Sequence, residues 1–312
     1  MRRSTARPKL SGFLAAVVAG AAAAGACDWR SNGLERLEQL NPPPGGADGG
    51  STSNPSSCAL PDMDGGTAPD PGGMCLGLLN GNWAGRMVQF GNISILGTAY
   101  DITITDLFLV ALSEDKSSLE LTFCDEESSI TDPSTGDPFT FGATTNPPAL
   151  ISALAAAPIS IPLPGDGSLH ADPVVWLWGL GGPGCGSNPY TSPGTPLPAQ
   201  DDTTATCVWD QDMDGNPGVT VDVASPSGSR YMVRRAVWNI ETGSLAGGWM
   251  TGPLQFTVDQ SPMGANPSLL DTPAPITPRT DCTSLYQMRC AATTYTCQNL
   301  IDQYQVIFQN PP

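Results

Sequence analysis

Histidine is almost missing: His170 is the only one in 312 residues. A Ser-His-Asp arrangement needs a histidine base. His170 sits in a Gly167-Ser168-Leu169-His170-Ala171-Asp172-Pro173 stretch, and the chain has no Gly-x-Ser-x-Gly, so such catalysis is not expected. No Cys-x-x-Cys occurs either, which removes the usual zinc and iron–sulfur ligand sets. Gly179-Leu180-Gly181-Gly182-Pro183-Gly184 has the glycines of a phosphate loop, but Pro183 and the turn residues after it do not open a helix. Basic residues are scarce: 13 Lys+Arg face 30 Asp+Glu, a formal charge of −17. Such a field repels nucleic acid and anionic membrane surfaces and draws cations. A glycosidase needs two suitably separated carboxylates; acids abound here, and no spacing singles out a pair.

The amino terminus carries an address. Arg2, Arg3, Arg7 and Lys9 precede a run from Leu10 to Ala26 that is apolar or small except for Ser11. The run is short for a spanning helix and rich in Ala and Gly, which fits a secretory signal over residues 1–26. It ends Ala24-Gly25-Ala26-Cys27, which resembles the bacterial lipobox, with Ala24 where Leu is usual. The resemblance implies acylation of Cys27 and attachment to a membrane through that lipid; the expected address is the cell envelope, at the outer membrane or cell surface ahead of the inner membrane. The chain from Cys27 onward keeps 9 of the bases (13 − 4) and all 30 acids, a formal −21.

Cysteine parity agrees with that address. Of nine cysteines, setting Cys27 aside for lipid leaves eight: Cys58, Cys75, Cys124, Cys185, Cys207, Cys282, Cys290 and Cys297. Eight thiols in an oxidising compartment form four disulfides, with 105 connectivities open. Cys282, Cys290 and Cys297 are an odd set, so full pairing sends at least one of them back to an earlier segment.

Residues 28–40 hold the material of one or two helical turns. The rest of 27–74 is Pro, Gly, Ser, Asp and Asn, a composition that cannot bury enough apolar surface to order itself, and reads as a tether. From 75 to 312 the texture is that of a disulfide-stapled β domain. Expected strands are Asn82–Phe90, Ile93–Leu96, Ala99–Ala111, Ser118–Cys124, Val174–Leu180, Val219–Val223, Ser229–Ile240, Gly243–Trp249, Leu254–Val258 and Gln305–Gln309. Helical patterns are confined to Ala149–Ala157 and Cys297–Gln305. Long Pro/Gly loops fill 131–148 and 181–206, and 31 prolines suit neither helices nor central strands. The expectation is a mostly β, antiparallel barrel or sandwich. A duplicated half-barrel is one form of it, since Trp83-Ala-Gly-Arg86-Met-Val and Tyr231-Met-Val-Arg234-Arg-Ala-Val-Trp238 each start a β-rich stretch.

One run carries chemistry. Asp210-Gln211-Asp212-Met213-Asp214-Gly215-Asn216-Pro217-Gly218-Val219 places carboxylates at alternate positions, then Gly for a sharp turn, then Asn216 to offer a carbonyl. Oxygens in that pattern converge on Ca²⁺, a hard cation that takes six to eight of them. Val221 stands where an EF-hand has its bidentate Glu, and a strand follows instead of a helix. The loop resembles those of thrombospondin type 3 repeats, with Asp222, Asp201 or Asp202 as a further carboxylate and a structural role for the ion. Asp62-Met63-Asp64 in the tether reads as solvated.

Trp176, Trp178, Trp83, Trp209, Trp238 and Trp249 read as core, or as the lining of a ligand cavity. Gly81-Asn82-Trp83 has the Gly-x-Trp of a lipocalin's first strand, which implies a carrier of a small apolar ligand. Lipobox, tether, Trp-containing first strand and an Asp-x-Asp-x-Asp-Gly-x-Pro-Gly-Val-Thr loop at 210–220 together resemble secreted lipoproteins common in myxobacteria and related bacteria. That resemblance implies an envelope address and no particular activity. The expected function is a non-enzymatic binding or structural domain, of protein or small-molecule partner unspecified, with the apolar carrier and a carbohydrate-active hydrolase as alternatives.

Overall fold

The computed structural model describes residues 58, 82–113, 117–163, 169–246, 248–291 and 295–309. The signal, Cys27, the helical turns at 28–40, nearly all of the tether and Cys75 lie outside the described residues. Among the described residues no helix is long and apolar enough to cross a membrane.

The fold is mostly β and antiparallel. β1 (Asn82–Ile95), β2 (Thr98–Leu112) and β3 (Ser118–Thr131) form a meander. β4 (Thr144–Thr145), α1 (Pro148–Ala155), β5 (Ile159–Pro162) and β6 (Ala171–Trp178) follow. β7 (Val219–Val223), β8 (Gly228–Ile240), β9 (Ser244–Ala246) and β10 (Trp249–Asn266) come next. β11 (Ile276–Pro278), β12 (Leu285–Ala291) and α2 (Cys297–Ile307) end the chain. Strand order runs β5-β3-β2-β1, then β11 and β12, then β10-β8, then β6 and β7, with β4 outermost on β7.

Two edges are shared. β11 and β12 lie one after the other between β1 and β10, so these four close a ring of hydrogen-bonded neighbours. Likewise β7 pairs with residues 228–232 of β8 while β6 pairs with residues 234–240.

The sheet coils into a barrel. β3 and β6 are far apart in strand order, yet Phe123 meets Trp176 and Trp178 with ring centroids 5.0 and 6.0 Å apart. Phe108 and Trp238 complete this aromatic layer, and all five side chains are buried. Each such ring contributes on the order of 1.5–3 kcal/mol by leaving water. Leu150 and Leu154 of α1 join the same interior cluster, on the side where α1 leans on β3 and β7.

Strand ends departed from expectation for identifiable reasons. β3 continues seven residues past Cys124, because a bulge there sets Leu107 opposite Asp125 and Phe108 opposite Phe123. The extra residue keeps Phe123 and Glu126 facing inward but shifts the two-residue sequence period by one. Asn82–Phe90 and Ile93–Leu96 are one strand, and β10 runs unbroken through Leu254–Val258 to Asn266. Gly243–Trp249 is a hairpin, with β9 returning as β10. Gln305–Gln309 is not a strand. Helix α2 runs through it to Ile307, started by a Thr296/Asn299 capping box and held by buried Leu300, Ile301, Tyr304 and Ile307 on one face.

Disulfides tie these parts together: Cys58–Cys282, Cys124–Cys297 and Cys185–Cys207. Cys290 is disulfide-bonded as well. The late cysteines thus reach back, as parity requires: Cys282 to the segment before β1, and Cys297 to the bulge in β3.

Candidate functional site

The Asp210 loop fills the seam where β6 leaves the edge of β8 and β7 takes it over. Met213, Gly215 and Gly218 have φ of +57°, +91° and +86°. These left-handed residues curl the chain so that the carboxylates of Asp210, Asp212 and Asp214 come within 4.8 Å of one another. Gly218 has no alternative: a Cβ there would sit 2.3 Å from the Met232 carbonyl oxygen, and one on Gly179 would sit 2.6 Å from the Gly218 Cα.

Each carboxylate is held by the loop itself. Asp210 accepts from the backbone N–H of Asp214 (3.1 Å) and Gly215 (2.8 Å). Asp214 accepts from Asn216 N–H, the Asn216 side-chain amide and Thr220 Oγ1, the last at 2.6 Å. Asp212 accepts from Thr220 N–H at 2.8 Å through Oδ2. Its other oxygen, Oδ1, is buried without a hydrogen-bond partner, in a residue only 7% exposed. Burial, with the neighbouring Asp214 charge adding to it, pushes the Asp212 carboxyl up to about 6 against the pull of the Thr220 N–H. An all-carboxylate donor set with one buried, unsatisfied oxygen fits a hard divalent cation. Asp210, Asp212 and Asp214 are the residues that would hold it.

Other sequence candidates sit elsewhere. Asp222 accepts from Ser229 Oγ at 3.2 Å, and Asp202 from Thr204 Oγ1 at 2.9 Å; neither belongs to the cluster. Asp201 pairs with Asp271, whose proximity raises its carboxyl once desolvation has done so. Asn216 grips Asp214 through its backbone N–H and its side-chain amide. Thr220 and Gln211 were not singled out by sequence reasoning, yet both matter. Gln211 is buried, and its Oε1 accepts from Gly179 N–H at 2.6 Å, fixing the loop to the end of β6. Cys58, Asp281 and Cys282 also cluster, but their sulfurs are joined in a disulfide. His170 is exposed.

Inside the barrel, next to the aromatic layer, lies a charged one. Asp106 of β2 faces Glu126 of β3 across their ladder. Asp106 is fully buried and accepts from Gln89 Nε2 at 2.5 Å. Burial first, and then the Glu126 charge, drive its carboxyl well above the ordinary carboxylate range. Glu126 accepts from Arg234 Nη1 at 2.5 Å. Arg234 is 4% exposed, its guanidinium lies 4.5 Å from the centre of the Trp178 ring, and its Nε and Nη2 have no partner. Beyond this layer a cavity of about 50 Å³ opens to solvent, lined both by isoleucines such as Ile102 and Ile104 and by polar side chains such as Ser128, Asn146 and Gln260.

The tryptophans otherwise pack on protein. Trp83, Trp176 and Trp238 are interior core; Trp249 packs outside, near α2; Trp178 alone of the six borders the cavity. That volume is well below the roughly 300–1,000 Å³ of ordinary small-molecule sites. Of the facing acids, Asp106 is fully buried and Glu126 is locked to Arg234. A glycosidase instead sets its carboxyls about 5–10 Å apart around a sugar. No family model, curated protein or solved structure matches the chain.

Proposed function

We propose that this is an exported envelope lipoprotein, lipid-anchored at Cys27, whose β barrel is a non-enzymatic binding or structural domain stiffened by Ca²⁺ in the Asp210 loop. The observation that carries the ion is Asp212 Oδ1, a buried carboxylate oxygen with no donor, beside two further carboxylates. A divalent cation there satisfies that oxygen, offsets the repulsion among three acids, and pins β7 to the end of β6. Oxidised cysteines support export. The lipid rests on the Ala24-Gly25-Ala26-Cys27 run.

Native mass spectrometry of protein released from its own envelope tests both halves. Expected are a chain starting at Cys27 with a diacylglyceryl-type addition, and one Ca²⁺ per chain that Asp212→Asn loses. A chain starting elsewhere without acyl mass overturns the anchor; a wild-type chain that takes up no Ca²⁺ overturns the loop. Extracellular sites of this kind bind at ~10⁻⁴–10⁻³ M. Saturation at ten to a hundred times that level stabilises by about 1.4–2.7 kcal/mol.

A further inference from the structure

We propose that the Cys58–Cys282 disulfide moors the barrel to its membrane leash, so that two covalent routes join the domain to the lipid and reduction cuts the shorter one. The inference rests on the lipid at Cys27. The first observation is where the bond falls. The barrel's first strand begins at Asn82, yet Cys58, well before it, is joined to Cys282 between β11 and β12. From Cys27 to Cys58 the chain runs 31 residues (58 − 27); from Cys27 to Asn82 it runs 55 (82 − 27). Fully extended, the first spans at most roughly 100–110 Å and the second roughly 180–200 Å. The disulfide therefore shortens the leash by nearly half.

The second observation is the construction of the loop that receives it. Residues 279–284 engage both backbone groups of Phe90, within β1. Arg279 N–H donates to the Phe90 carbonyl at 3.0 Å, and Ser284 Oγ accepts from the Phe90 N–H at 3.0 Å. The Arg279 guanidinium pairs with Asp101 of β2 and with Asp281, next to Cys282, each at 2.5 Å. The Arg279 and Asp101 side chains are only 10% and 11% exposed. A pull arriving at Cys282 is thus shared between β1 and β2.

Asn82 offers a poorer hold. It is the end residue of β1 and pairs with Ala291, the end residue of β12. Tension applied there opens the ladder one pair at a time from its end. Tension taken up at Cys282 spares that end. Reduction changes the arrangement: a dithiol gives two electrons and two protons to the S–S bond, Cys58 and Cys282 become thiols, and the dithiol closes to its own disulfide. The leash then continues past Cys58 toward Asn82.

The test uses the lipidated full chain in phospholipid vesicles, with a protease recognition sequence inserted between Gly65 and Gly66. Expected is that the uncut chain floats with the vesicles. After cleavage the barrel fragment still floats, and dithiothreitol releases it. Cys58→Ser with the same insertion loses its barrel fragment on cleavage alone, while its tryptophan fluorescence stays that of the folded barrel. Release of the parent's barrel fragment by cleavage alone overturns the proposal, and so does retention of the Cys58→Ser fragment. An uncut chain that does not float overturns the lipid anchor and the mooring with it. A non-reducing gel of the cut chain separates the two failures, because it shows whether the fragments remain joined whatever the lipid does.

Discussion

Two seams interrupt the barrel, and they are closed by opposite chemistry. Along β8, β6 gives way to β7 across the Asp210 loop. Between β1 and β10, β11 gives way to β12 across residues 279–284. In each a side chain accepts a hydrogen bond that a continuous strand would otherwise take. Gln211 Oε1 accepts from Gly179 N–H and Asp212 Oδ2 from Thr220 N–H at the first. Ser284 Oγ accepts from the buried Phe90 N–H at 3.0 Å at the second.

What holds each seam shut differs. The second is complete in the chain itself: Arg279 bridges Asp101 and Asp281, and Cys282 is bonded to Cys58. The first gathers three carboxylates and supplies no base to them among the described contacts. The same structural problem is thus solved once with an ion pair and a disulfide and once with a turn built on carboxylates. The lesson is that one buried member, Asp212, sets this acid cluster apart from a solvated acidic turn.

This contrast can be broken at either seam. The largest effect belongs to the disulfide: Cys282→Ser should cost about 2–5 kcal/mol, measured as the loss in denaturant midpoint. An unchanged midpoint would mean that Arg279 and Ser284 close the seam alone. Gly218→Ala comes next. Its backbone conformation alone costs about 1–3 kcal/mol, the contact with the Met232 carbonyl adds to that, and calcium affinity should fall with stability. Retained affinity would separate the loop's ion from its backbone. Ser284→Ala should cost about 1–3 kcal/mol by leaving the Phe90 N–H without an acceptor, with no change in calcium binding.

The smallest effect has opposite signs at the two seams. Asp212 is raised to about 6 by burial above all, so in chelator the folded chain keeps a proton that the unfolded chain releases near pH 4. Its contribution is therefore most favourable at low pH and fades as pH rises from about 4 to about 6. Asp281 is lowered by its hydrogen bonds to Arg279, so its contribution is present above about pH 4 and is lost as pH falls through its folded value. Asp281 is exposed and its effect is slight. Melting the protein in chelator across pH 4–7 should show the first slope in the wild-type chain and not in Asp212→Asn. An identical slope in both would place the titrating group elsewhere.

Much of the barrel was legible in the residues. β2, β7, β8 and both helices fall close to the expected spans because their apolar periods are uninterrupted. Missing were β4, β5, β11 and β12, of which β4 is a two-residue strand. β5 and β11 are too short to carry a period. In β12, Tyr286, Met288 and Cys290 face inward between Gln287 and Arg289, an alternation the sequence does contain, flanked by polar runs that obscure it. The Asp210, Asp212 and Asp214 convergence follows from alternation and glycine placement alone. The Arg234 site does not. Its members come from β1, β2, β3 and β8, and only the coiling of the sheet brings Gln89, Asp106, Glu126 and Arg234 into one layer. No local pattern marks a long-range polar cluster.

The partners of β1 set an order of assembly. One edge of β1 is covered by β2, its immediate successor, and the other by β11 and β12, nearly two hundred residues later. Cys58 and Cys124 wait in the same way, with partners 224 and 173 residues downstream. A chain emerging amino end first therefore spends most of its synthesis or translocation with its first strand unpaired on one side and two early thiols unmatched. Contacts this distant in sequence form slowly, and during that interval Cys58 and Cys124 are open to each other. Neither disulfide can close until the chain has supplied its last strands and helix.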